Sequence, residues 1–395
     1  MSERDVFGDL DDPLWQADAD YSAAIAAILR ETAPILAAQQ TRGRAWQTAL
    51  QRLTRSVHRP MAAHQRQRVC YLLGCAAAAA LDHQRAVIHF EKALQLALGL
   101  DDVNAAAASA QSLAAAHWAL QRFGAAVSAL EVCAVMLGAV GCADSVVPPA
   151  LLVRTEDTML ALATLEYVRG HFEAAERWLD QADALVPRLA DKRAASSSSA
   201  ATHALLARAR GKPEVALRHA LVALDLAEVG HDATLGWVRG LIVECALDLA
   251  ELLAGGPAGA AGRALLALAK GYVDDTPRLP KAGRRHGEAP PHLLADGVIY
   301  LASVRYLRLA DAADTAERLT AFERLIAIAE RYDNKALLGL AFTALGDDLT
   351  ACGAQRPALR SYEAAHRAID GLDMAGLGLR AQRALLRHHE AHLAD

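Results

Sequence analysis

Aromatic residues make up only 5% of the 395 residues, too few to fill the interior, and Ala and Leu take their place. Both stand high on the helix-propensity scale, whereas the β-branched and aromatic residues of strands are sparse, which excludes a sheet-built core and points to an all-α chain. Runs of one charge are also scarce: the net charge is −5, and the one basic cluster is Lys281, Arg284, Arg285 and His286. That indicates neither a nucleic-acid footprint nor an acidic tail, so no direct nucleic-acid partner is expected. Apolar stretches are broken by Asp, Arg, His or Glu well before the ~18 residues of a membrane span, so none is expected. The start, MSERDVFGDLDDPLW, is acidic and lacks the basic-then-apolar order of a secretory signal.

Motifs of chemistry are missing as well. The cysteines (Cys70, Cys75, Cys133, Cys142, Cys245, Cys352) form no Cys-x-x-Cys pair and read as small buried hydrophobes in a reducing compartment, so a cytoplasmic location is expected. The segment GGPAGAAG lacks the Lys-Ser/Thr of a phosphate-binding loop, and no Gly-x-Ser-x-Gly elbow occurs. His388 and His392 sit at i, i+4 with Glu390 between them, but His389-Glu390-Ala391-His392 is one residue short of the zinc-protease motif and has no third ligand nearby. The expectation is a chain with no metal, no cofactor and no catalysis.

What is present is a repeated ladder of small residues. In YLLGCAAAAALDHQRAVIHFEKALQLA (71–97), Gly74 is followed by Ala86, then Phe90, then Ala93. The same spacing returns at Leu113-Ala114 with Ala126, Leu130 and Cys133, and at Leu162-Ala163 with Ala175, Leu179, Ala182 and a closing Pro187. It returns again at Ala204 with Ala216, Ala220 and Ala223, and at Leu345-Gly346 with Ala358, Tyr362 and Ala365. A small residue on one helix and a bulky one on the next form a notch and a knob, so each copy predicts a helical hairpin. Residues 234–271 predict a degenerate hairpin with a Gly/Pro-rich turn. Residues 291–332 predict another, with Leu301, Ala302, Ala321, Leu325 and Ile328 inside. VDDTPRLPKAGRRHGEAPP (273–291) and GCADSVVPPA (141–150) read as loops, and DKRAASSSS (191–199) as a helix start capped by serine.

This ladder resembles the tetratricopeptide repeat (TPR) family, whose consensus places Leu-Gly, an aromatic, Ala, an aromatic and Ala at such offsets. The steps from 74 to 114, to 163 and to 204 are 40, 49 and 41 residues, longer than the basic unit of about 34, as in longer-repeat variants. The resemblance implies an all-α fold, an α-α superhelix or right-handed solenoid of helical hairpins, with atypical capping helices at both ends. Its segments would be N-terminal capping helices over 1–62, repeats over 63–272, a Pro-rich basic loop over 273–291, further repeats over 292–372, and a capping helix over 373–395. An array exposes an apolar face where it stops, which is why its ends need covers. A homodimer through the apolar stripe of the last helix is an option this leaves open.

In that family the first helices line a concave groove. Carried over residue by residue, the groove receives Arg68, Tyr71, Cys75 and Ala78, then Gln111, Ala115 and Trp118. Asp157, Leu160, Thr164 and Tyr167 come next, then Leu205 and Arg208, and Thr343, Asp347 and Thr350 in the last copy. Asn, common where such grooves grip a peptide backbone, occupies none of these positions, which points away from a sequence-specific clamp. The partner-binding candidates are Arg68, Tyr71, Gln111, Trp118, Asp157, Tyr167, Arg208 and Asp347. Each aromatic can equally pack against the next helix. The resemblance implies a non-catalytic scaffold or adaptor that holds a partner protein or peptide. The alternative is a ligand- or peptide-sensing regulator, although residues 19–59 lack the short turn and basic surface of a DNA-binding helix-turn-helix. An enzyme is the third reading and would rest on the C-terminal histidines.

Overall fold

The structure is a computed structural model and describes Thr48 and residues 51–55, 61–80, 82–141, 148–227, 232–253, 256–273, 293–311 and 313–374. Among the described residues there is no strand. The chain divides into two compact units, Met1–Thr158 and Met159–Asp395. The helices run in hairpins: α1 (Ala63–Ala79) with α2 (His83–Gly99), α3 (Val103–Ala119) with α4 (Phe123–Gly141), and α5 (Pro149–Arg169) with α6 (Phe172–Leu185). They continue with α7 (Lys192–Ala209) and α8 (Pro213–Ala227), α9 (Asp232–Leu252) and α10 (Ala260–Val273), α11 (Leu293–Leu309) and α12 (Thr315–Arg331), and α13 (Lys335–Ala351) and α14 (Gln355–Ile369). This is a TPR-like succession of hairpins.

Local chemistry sets the helix starts. The carboxylates of Asp82, Asp102, Asp191 and Asp314 and the amide oxygen of Asn334 each accept a backbone N–H one turn into the helix they precede, satisfying donors that no carbonyl reaches. The turns reverse through single residues in the left-handed region. Asp101 (φ 54°) and Asp333 (φ 48°) serve between hairpins, and Gly170 (φ 87°) and Gly353 (φ 76°) within them.

The ladder predicted from sequence forms the core. A Cβ on Gly74 would stand 2.6 Å from the Phe90 ring, and one on Gly346 would stand 2.5 Å from the Tyr362 ring. Each aromatic therefore lies directly on the backbone of the facing helix. Ala163, Ala175, Leu179 and Ala182 share one cluster, and Ala204, Ala216, Ala220 and Ala223 belong to another. A second set of glycines also serves close approach. A Cβ on Gly240 of α9 would meet Ile299 of α11 at 2.6 Å, and one on Gly297 of α11 would overlap Leu337 of α13. These contacts join first helices of successive hairpins, a role that the ladder within a hairpin does not reveal. In the second unit, Arg169 at the end of α5 donates to Asp373, beyond α14, at 2.5 Å.

Several sequence expectations need correction. Gly141 closes α4 and Pro149 opens α5, so the helices encroach on both ends of the expected 141–150 loop, whose residues 142–147 lie outside the described residues. The cap of α7 is Asp191, and the serines lie inside the helix: Ser197 donates to the Ala223 carbonyl at 2.8 Å and Ser199 to Asp183. In α12 Phe322, Leu325, Ile328 and Ala329 are buried in one cluster with Leu301 and Leu337, and Ala321 is half-buried against it; Phe322 is the member the ladder did not name. Residues 274–292 and 375–395, with His388 and His392, lie outside the described residues, as does most of 1–62.

The glycine notch gives a test with a change of sign. Gly74→Ala is expected to destabilise by about 1–3 kcal/mol through overlap with Phe90, and Phe90→Ala by about 3–5 kcal/mol. Introduced on top of Phe90→Ala, the same Gly74→Ala change stabilises by up to about 1 kcal/mol, the helix-propensity gain alone. Urea unfolding of the four proteins of this cycle decides it.

Candidate functional site

The residues that face one first helix from another are polar in the first unit and charged in the second. In the first unit the Gln67 amide of α1 donates to the Ser109 hydroxyl of α3 at 3.4 Å, and the Tyr71 and Ser112 hydroxyls are 3.2 Å apart. The Tyr71 side chain is buried, with its ring tilted on Phe90 at 5.7 Å. Burial pushes its phenol up to about 12, against the pull of the Ser112 hydrogen bond and the Arg68 and Arg154 guanidinium charges. One turn along, the Gln111 amide of α3 donates to Thr158 Oγ1 at 2.9 Å, and Arg154 Nη1 of α5 donates to Gln111 Oε1 at 2.8 Å. Trp118 is half-buried and meets the Phe123 ring edge-on at 5.2 Å, Arg68 is half-buried, and Asp157 is exposed.

In the second unit a network of opposite charges runs along the first helices. Arg208 of α7 pairs with Glu244 and, at 2.5 Å, with Asp248 of α9. Arg305 of α11 meets Asp248 and Glu251 at 2.6 Å each, and Arg308 meets Glu251 at 2.8 Å. Asp348 of α13, 2% exposed, accepts from Arg318 of α12 at 3.1 Å. Burial alone would raise the Asp248 carboxyl, yet Arg208 and Arg305 outweigh it and hold it well below the usual carboxylate range. Burial alone would lower the Arg305 guanidinium, and its three carboxylates outweigh that in the other direction. Tyr167 lies beside this network, its phenol raised by burial, with its ring tilted on Phe172 at 6.0 Å.

The eight sequence candidates thus fall into separate groups. In the first unit Tyr71 and Gln111 both join the seam between α1, α3 and α5. In the second unit Tyr167 and Arg208 are neighbours, while Asp347 accepts from the Tyr362 hydroxyl at 2.9 Å at a separate point. Sequence reading missed Arg154, Glu244, Asp248, Glu251, Arg305 and Asp348. A signal was present: acids at 244, 248 and 251 line one face of the otherwise apolar helix GLIVECALDLAEL.

Among the described residues the seams present hydrogen-bonding and charged groups. Asp183 accepts from both Ser199 and His203. Burial raises the Cys75 and Cys245 thiols to about 12, which keeps them protonated. Among the described residues no group of three His, Cys, Asp or Glu side chains could hold a metal ion, and no helix is long and apolar enough to cross a membrane.

No protein-family model matches the chain, and no curated protein matches it in sequence. Solved structures do match in fold. The apo form of the quorum sensor NprR from B. thuringiensis superposes with a TM-score of 0.60 at 14% identity over 90% of each chain. NprR in complex with its cognate peptide NprX gives 0.50 at 13% identity over 78% of each chain. The apo form of RapI gives 0.62 at 9% identity, over 95% of this chain and 91% of its own. At identities this low the superpositions establish a shared fold and nothing more.

The charge network sets an expectation for acid. A carboxyl whose folded pKa is depressed contributes stability above its unfolded pKa of about 4, and this is lost as the pH falls through the folded value. Wild type therefore loses stability below about pH 4. Asp248→Asn is expected to flatten that loss while costing about 1.5–3 kcal/mol at neutral pH, where the charged hydrogen bonds are gone. Urea unfolding from about pH 7 down to about pH 2 checks both.

Proposed function

We propose that the chain is a non-catalytic adaptor of the TPR class that holds a peptide or a partner protein along its first helices. The observation that carries this reading is the pattern of those helices. Their polar side chains sit in seams on faces that join neighbouring helices. Within this reading, 63–272 and 292–372 are the binding repeats, 273–291 is a basic linker, and 1–62 and 373–395 cover the ends. The setting is a reducing, cytoplasmic one, which suits free buried thiols such as Cys133 and Cys245.

A second reading, a peptide-sensing regulator, is favoured by the fold shared with NprR, a quorum sensor whose structure holds its cognate peptide. The two readings agree on the ligand class and differ in the consequence of binding: an adaptor joins partners, whereas a sensor changes its affinity for one of them when a peptide arrives.

Affinity purification from the native host tests the shared claim. Trp118→Ala combined with Tyr167→Ala is expected to deplete the co-purifying partner set by about tenfold or more, as loss of aromatic anchors does at interfaces. Circular dichroism establishes that the variant is folded. Recovery of the same partners in the same amounts by a folded variant overturns the assignment of these faces.

A further inference from the structure

Two imidazoles in the second unit lie face to face, outside the charge network. His203 of α7 and His219 of α8 are stacked, with ring centroids 5.3 Å apart and planes inclined by 22°. The two rings differ in what surrounds them. His203 Nε2 is 2.9 Å from Asp183 Oδ2 of α6, and the other oxygen of that carboxylate accepts from the Ser199 hydroxyl of α7. Asp183 therefore holds α7 to α6 at two points. Among the described residues no carboxylate pairs with His219, and the charges that act on it are those of His203 and of the Arg218 guanidinium beside it on α8. The acids of the surrounding helices are engaged with other cations. On α6, Glu176 pairs with Arg210 at 2.5 Å, with Glu173 also acting on Arg210 and with Lys212 of the α7–α8 turn also acting on Glu176. On α8, Glu214 pairs with Arg218 at 2.6 Å. On α9, Glu244, Asp248 and Glu251 are met by Arg208, Arg305 and Arg308.

Two neutral imidazoles at this separation pack as stacked rings do, whereas two imidazolium ions repel each other. Burial, then His203, then Arg218 lower the His219 imidazole below its ordinary value of 6.5. A histidine lowered in this way contributes its full stability above about pH 6.5, and the contribution is lost as the pH falls from there through the folded value. We propose that the His203–His219 stack is an acid-sensitive clasp on the α7–α8 hairpin, closed near neutrality and loosened in mild acid once both rings carry charge. Asp183 keeps one half of the clasp in place on α6, so the half that moves is α8. The step lies above the one near pH 4 that Asp248 sets, and the hairpin it loosens is the one whose Arg208 ties α7 to α9. It is independent of what the first helices bind.

Hydrogen–deuterium exchange of the full chain, resolved to peptides and corrected for the intrinsic pH dependence of exchange, reads the opening of each helix from about pH 7.5 to about pH 5. In wild type the opening of α8, and of α7 with it, is expected to rise several-fold between about pH 6.5 and about pH 5.5. The ceiling is about tenfold, because a free histidine is about ten parts charged to one part neutral at the lower end. His83, His89 and His117, also lowered by burial, lie on α2 and α3, so their response falls on other peptides. His203→Gln is expected to remove most of the rise, and imidazole NMR of that variant to show His219 titrating closer to a free histidine than in wild type. His219→Gln removes the rise as well, with α7 and α8 protected at neutral pH as in wild type. A rise that persists in a folded His203→Gln protein, or a His219 titration that this change leaves where it was, overturns the clasp. So does a wild type whose α7 and α8 peptides show no rise. Should His203→Gln fail to fold, the wild-type titration decides: His219 titrating at or above the free value overturns the clasp, and titrating below it together with loss of the rise in His219→Gln supports it.

Discussion

The fold depends on missing side chains. At Gly74 and Gly346 an aromatic ring occupies the space where a Cβ would stand, so the two helices of a hairpin meet at backbone-to-ring distance. A methyl group at either place would have to push aside the body of a ring, which has no flexible end to yield. Where the notch is Ala, as at Ala163 and Ala204, the knob shrinks to Leu179 or Ala220, both buried. At Ala163 the extra methyl of the notch is offset by a knob reduced from an aromatic to Leu179, which keeps the volume across that contact nearly constant, as close-packed interiors require. An interior of this kind needs few aromatics, which accounts for a composition that at first looks short of core material.

Close packing along the notches leaves the opposite job, tying one first helix to the next, to polar groups. Amides, hydroxyls and the Arg154 guanidinium serve in the first unit and opposed charges in the second. A buried ion pair gains little over a well-packed apolar pair but is severe when half of it is lost, so the second unit is held to one register by its charges.

Much of the hairpin order was legible because a notch and its knob lie only 16 residues apart in sequence, as Gly74 and Phe90 do, and because Asp and Gly mark the turns. The polar seams were not legible in the same way. Arg305 and Asp248 are 57 positions apart, and Gln111 and Arg154 are 43 apart, so their pairing depends on how successive hairpins stack. Offsets from the Leu-Gly pair picked out Gln111 and Arg208, which lie between neighbouring first helices. They could not tell that Asp347 is taken by Tyr362 within its own hairpin, or that Tyr71 is enclosed. The serines of 196–199 misled for a related reason: Ser is a good cap in isolation, but Asp191 lies where the helix begins, and Ser197 and Ser199 find their acceptors on neighbouring helices.

The pair between Arg169 and Asp373 spans 204 positions, within a unit otherwise built from neighbours touching neighbours. A linear array loses order from its ends inward, since a terminal repeat has only one flank to hold it. Joining the third hairpin to the segment behind the last gives that far end a second flank. The two partners are partly exposed, 20% and 46%, so the bond is individually weak. Its effect is topological: it gives the segment behind the last described hairpin a partner far from it in sequence, where every other support comes from the adjacent helices.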